Sequence, residues 1–303
     1  MALSGNMRRG GALALCAAFC WGIISPAAKI VSAADIDLMT LMIFRSLFTL
    51  AASGLCLFIS GQRARLHVGR ETARFYFICG AFSVALAGGG YLKSLAYLTV
   101  AQAIVIHYTF PLATLAGSMW VTREKPTLLQ VAAGFIIVAG VVTGMGGSAA
   151  SFISVPAAGF IWAALAVIGI SGQALVARRF SISHETDELA MLFYSNLFGS
   201  ALLIAYKTLF AGWGDAARVT PRLFALMSLV AFTGSFLSYG FFYAALKYIP
   251  AAVASLFCTF EIVVAVGLTA LFVGQAPSPQ ETAGCALILI AIFCASATPR
   301  ERR

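Results

Sequence analysis

Apolar runs long enough to cross a bilayer follow one another along this chain with only short polar breaks between them. An α-helix rises about 1.5 Å per residue, so roughly 20 apolar residues span a hydrocarbon core about 30 Å thick. Ten such windows are read, at 10–32, 38–60, 75–97, 100–121, 128–145, 157–177, 189–210, 223–248, 251–273 and 282–297. The spacing predicts an all-α integral membrane protein of ten transmembrane helices, with no room left in 303 residues for a soluble domain. Composition agrees. Hydrophobic residues make up 61% of the chain and charged residues 10%, where soluble domains carry about 25% charged. An ordinary soluble globule is excluded, because this much apolar surface cannot be hidden inside itself, and so is a disordered chain.

The net charge of +9 would suggest nucleic acid on a soluble protein. Here the basic residues fall between apolar runs and act as topology signals. With the N-terminus inside, 14 Lys and Arg lie on the inner side, among them Arg8, Arg9, Arg63, Arg65, Arg123, Lys125, Arg178 and Arg179. Five lie at the outer side or outer span ends (Lys29, Lys93, Lys207, Arg218 and Arg222), and Arg45 is inside the second span. The expectation is a multi-pass protein of the cell (inner) membrane with both termini cytoplasmic. Arg8 and Arg9 before the first apolar run resemble a signal peptide, but the run is too long, so the first span is read as retained. All seven cysteines lie in apolar stretches, and the reading is filler rather than disulfide or metal site. No metal, cofactor, nucleic acid or obligate protein partner is expected; the partners are the lipid bilayer and a small-molecule substrate.

Shifted by 151 residues, the chain begins to match itself. Leu95-Ala96-Tyr97 falls on Leu246-Lys247-Tyr248, Ala101 and Ala103 on Ala252 and Ala254, and Pro126-Thr127 on Pro277-Ser278; with one residue of slippage Gly134 meets Gly284. Five spans per half is an odd number, so the second copy enters the membrane inverted. The halves are placed at 1–147 and 148–303. Inverted repeats of this kind are a common construction of secondary transporters, with substrate bound near the midplane between them.

The chain resembles the drug/metabolite transporter superfamily, with two EamA-type halves. The resemblance is carried by Trp21-Gly22, Lys29, Arg45, Ala101, Ala103, Pro111, Glu124, Gly134 and Gly140. In the second half it is carried by Gly159, Trp162, the stretch 248–254, Glu261, Gly274-Gln275 and Gly284. Two positions depart from the family pattern: Ile262 stands where Pro is usual, and Gln275 where Glu is frequent. The composition is most similar to the amino-acid exporter branch, including exporters of aromatic amino acids. The resemblance implies export of a small amphipathic metabolite, neutral or aromatic amino acids first, with multidrug or other metabolite export as the alternative.

Ionisable groups in lipid are expensive and usually face a cavity or a partner. Arg45, Lys93, His107 and Glu261 lie inside spans. Counting along the helices places Arg45, His107 and Glu261 near one level, so that an Arg45–Glu261 pair would keep Glu261 ionised and structural, and transport facilitative. Trp21, Tyr91, Trp162, Tyr239 and Tyr243 lie inside spans, where a Trp or Tyr needs a hydrogen-bond partner, and Gln173 is a polar candidate in the sixth. The substrate-binding set is thus Trp21, Tyr91, His107, Trp162, Gln173, Tyr239 and Tyr243, in a cavity lined by the first, third, fourth, sixth, eighth and ninth spans. Ser25-Pro26 frees a backbone carbonyl in the first span, and Gly88-Gly89-Gly90 is a bending point in the third. Gly169-Ile170-Ser171-Gly172 with His107 resembles a membrane serine protease, a reading outweighed by the two-half layout. No G-x-x-x-x-G-K-[ST] motif is present, so transport is expected to be gradient-driven.

Overall fold

The computed structural model describes residues 5–146, 156–273 and 276–296, without the side chains at 25, 26, 29, 101, 272 and 273. Ser25-Pro26, Lys29, Ala101, Gly274-Gln275, the division at 147/148 and the terminal Arg300, Arg302 and Arg303 therefore lie outside the described side chains or residues. The described residues form helices and turns without a strand. Eight helices are long and apolar enough to cross a membrane. The fifth span, Leu128–Gly144, is shorter, and the first consists of Gly5–Gly22 and Ile24–Ala33 with a break between. That makes ten spans. The first breaks where Pro26 has no amide hydrogen for the carbonyl of Gly22.

The irregularities of the two halves share one register. The third span, Arg70–Ser94, widens into a π-helix at Ala81–Gly89, and the eighth, Pro221–Tyr248, does so at Phe232–Leu237. The fourth span stops at His107 and resumes at Phe110; the ninth stops at Cys258 and resumes at Phe260. Residues 81 and 232, 107 and 258, are each 151 apart. The caps repeat too. Thr127 and Gln130 exchange side-chain and backbone hydrogen bonds at the start of the fifth span, and Ser278 and Glu281 do the same at the start of the tenth. Each is a capping box that satisfies two free amide groups. The triple glycine acts through the π-helix rather than a sharp kink: Gly88 and Gly89 form its last turn and Gly90 starts the next helix.

Packing is reciprocal. The first span lies against the eighth and ninth, and the sixth against the third and fourth, while the second meets the seventh and the fifth meets the tenth. Lipid offers no hydrophobic drive for helix association, so close backbone approach at small residues carries these seams. A Cβ added to Gly140 would sit 2.9 Å from the Gly284 carbonyl oxygen, and one added to Gly284 would sit 2.5 Å from that of Gly140.

At the end of the seventh span, Glu188–Phe210, Lys207 is 1% exposed and bridges Asp37 at 3.0 Å and Asp215 at 3.2 Å. Burial opposes ionisation of Asp215, but hydrogen bonds from the Thr40 hydroxyl, the Lys207 ammonium and the Asp37 amide outweigh it and hold the carboxyl below its ordinary range. A carboxylate whose folded-state pKa is lowered adds stability that is full above its unfolded value, about 3.9, and is lost as pH falls through the folded value. Asp215→Asn should therefore melt below the parent between about pH 5 and 8, and the gap should close below about pH 4. A gap independent of pH would contradict this assignment.

Candidate functional site

The breaks in the fourth and ninth spans have different chemical origins and one outcome. Pro111, in the first turn of Phe110–Val121, has no amide hydrogen for the carbonyl of His107, so the helix cannot run through. The ninth span has Ile262 in the corresponding turn and breaks all the same. In both, a threonine at the break turns its hydroxyl onto its own backbone. Thr109 donates to the Ile106 carbonyl at 2.6 Å and Thr259 to that of Leu256 at 2.7 Å, offering the chain an alternative to helical bonding.

These breaks place two groups side by side. The Tyr108 hydroxyl donates to Glu261 Oε1 at 2.6 Å across the two halves. His107 lies with its ring 4.9 Å from Tyr91 and 5.6 Å from Tyr108, and its Nδ1 is buried without a partner. On the other side of the first span, Trp21 meets Tyr239 edge-on at 5.2 Å and Phe242 at 5.4 Å, and Tyr239 lies 6.0 Å from Tyr243. Gln173 donates to the Tyr243 hydroxyl at 3.3 Å, leaving its own oxygen buried and unpaired. Gly22 joins the groups, since a Cβ there would lie 2.9 Å from the Glu261 carbonyl. Six of the seven expected substrate contacts thus fall in two adjoining aromatic and polar groups, Tyr91 and His107 beside Tyr108 and Glu261, and Trp21, Gln173, Tyr239 and Tyr243 towards Arg45. The seventh does not. Trp162 lies near the start of the sixth span, where its carbonyl closes on Gly90; a 151-residue shift matches it with Gly11, not with Trp21.

Arg45 and Glu261 are not paired, and that expectation is corrected. Arg45 donates Nε–H to the Ser235 hydroxyl and an Nη2 hydrogen to the Gly234 carbonyl, both at 2.9 Å. Gly234 and Ser235 belong to the π-helix of the eighth span, whose wide turn presents that carbonyl sideways. Arg45 thereby ties the second span to the eighth. With Ser46, Ser83, Asn196, Ser235 and Tyr243 it lines a crevice of about 10 Å³, room for about one water. Among the described residues neither Arg45 nor Glu261 joins a salt bridge. Ser171 donates to the Phe110 carbonyl rather than to His107, so the two are not assembled as nucleophile and base.

Sequence reasoning missed Tyr108. Its only signal was indirect: Glu261 matches Phe110 across the repeat, which sets the two breaks in correspondence without singling out Tyr108. It also read Lys207 as an interface cation, since nothing in the local sequence shows that the Asp37 turn folds over it.

Ten spans in two inverted, reciprocally packed halves, meeting at broken helices around a polar and aromatic cluster, define a multi-pass membrane protein of the secondary-transporter kind. The EamA-like transporter family model matches residues 8–144 and again 157–297, and the chain belongs to that family of drug/metabolite-type membrane transporters. No curated protein matches it. Among solved structures 29 chains match. One, a crystal structure of a protein 17% identical to this chain, superposes with a TM-score of 0.79 over 94% of this chain and 96% of its own, a likeness of fold alone.

Proposed function

We propose that this protein exports small amphipathic metabolites, neutral or aromatic amino acids first, by alternating access around the cluster at the two helix breaks. The proposal includes an inner-membrane location, cytoplasmic termini and halves divided at 147/148. The 14-to-5 distribution of basic residues supports the orientation. One observation carries the substrate reading: among the described residues Glu261 has a phenol donor, Tyr108, and no cation partner, beside an aromatic wall. A carboxylate placed so takes a substrate ammonium group, while Trp21, Tyr91 and Tyr239 take the apolar body. The test is uptake into proteoliposomes across a panel of amino acids, nucleosides and cationic dyes. Saturable phenylalanine or tryptophan transport is expected. Dye transport without amino-acid transport would replace this reading with multidrug export, which the family membership serves equally well.

A further inference from the structure

An open surface groove of about 570 Å³ lies beside Lys207, outside the substrate cluster, at one face of the bundle. Asp35, Asp37, Lys207, Gly214, Asp215 and Arg218 line it. Every charged group there has a partner. Lys207 joins Asp37 to Asp215 and lies 5.5 Å from the Trp213 ring, and Arg218 pairs with Asp35 at 3.4 Å. These bonds cross between the halves: Asp35 and Asp37 come from the turn between the first and second spans, the others from the end of the seventh span and the turn after it.

The opposite face holds the inverted copy of this arrangement. A shift of 150 residues sets Asp187 on Asp37, Arg65 on Asp215 and Leu57 on Lys207. Asp37 and Asp187 each cap a span by accepting a backbone amide. Arg65 and Asp187 form an ion pair, so the contact between turn and cap is kept, with Arg65 half exposed. At the lysine position the copy carries Leu57, fully buried. The fold can therefore fill this place with an apolar side chain, and packing alone does not call for a lysine. A buried ion pair gains little over an apolar replacement, but unlike leucine it releases favourably into water when its two sides part. The face with the lysine is the one with the groove.

We propose that Lys207, clamped between Asp37 and Asp215, is a latch that holds this face of the transporter shut, and that the groove beside it is the vestibule that joins the substrate cluster when the latch opens. Lys207→Leu, which installs the side chain of the inverted copy, tests it. Spin labels are attached through ketone-bearing residues at Ala33 and Ala217, exposed on either side of the latch, leaving the native cysteines untouched. Distances are measured on the full chain in nanodiscs, with a second labelled pair at Ala64 and Glu185 on the other face. The expected result is a longer Ala33–Ala217 population that the parent lacks, with no lengthening at Ala64–Glu185. An Ala33–Ala217 distribution identical to the parent's would overturn the proposal, and so would equal lengthening on both faces, which would mean general loosening. If Lys207→Leu does not fold, Lys207→Met, whose unbranched side chain follows the path of the lysine stem and leaves no buried charge at that position, is read by the same criteria.

Discussion

Gly169→Val is expected to prevent assembly of the bundle. A Cβ at Gly169 would overlap the Ala87 amide nitrogen and lie 2.7 Å from the Phe82 carbonyl oxygen and 2.8 Å from the Leu86 carbonyl carbon. All three atoms are backbone of the π-helix in the third span, so no side chain can rotate away. The seam must part, and with it the sixth span loses its contact with the third. Overpacking of a well-packed core costs about 1–3 kcal/mol. Against immovable backbone the upper end applies, and in lipid there is no compensating hydrophobic gain. Gly240→Ala is the matched control, since its Cβ would meet only Leu192 Cδ1 at 3.8 Å. Thermal melting in detergent, followed by size-exclusion chromatography, should show an aggregated or unstable valine variant beside a control that behaves as the parent. A monodisperse valine variant melting with the parent would mean that the third and sixth spans are not in contact at this point.

The second large effect is expected at Glu261. Glu261→Gln keeps the shape and the bond from Tyr108 but removes the only carboxylate of the cluster. A hydrogen bond to a charged group is worth about 1.5–3 kcal/mol, so transport of substrates bearing an amino group should fall about ten- to a hundredfold with melting unchanged. Tyr108→Phe should give a smaller loss in the same direction. With no Arg45–Glu261 pair to hold the carboxylate, an imposed pH gradient alone, applied to the parent, tests whether Glu261 also carries a proton. A parent that concentrates substrate on a proton gradient, with a Glu261→Gln variant that only equilibrates it, would make Glu261 a proton carrier instead. Full activity in Glu261→Gln would return it to a packing role.

Sequence reading reached the fold because bilayer thickness and charge asymmetry act locally and leave countable marks. The ten spans and the 151-residue repeat were legible for that reason, and Pro126-Thr127 against Pro277-Ser278, matched as part of the repeat, falls at the two capping boxes. The site was less legible. Counting 1.5 Å per residue places Arg45 and Glu261 at one depth but says nothing about which way each faces, and they turn to different neighbours. The ninth-span break left little trace, because it has no proline and rests on the rotamer of Thr259. Trp21 and Trp162 looked equivalent as tryptophans in the first span of each half, though the repeat sets them ten residues apart in register. The π-helices have no residue signature of their own; what shows them is that both halves bear one at the same count.

Because caps, π-turns and breaks recur at matching positions, either half can adopt the backbone of the other. Exchanging the two backbones turns the molecule over within the membrane and produces its mirror state without any new element. Two such states would be equal in energy if the halves were identical, and a carrier built that way would have no preferred resting side. The bias must come from the pairs that differ, among them Lys207 against Leu57, Glu261 against Phe110, and Pro111 against Ile262.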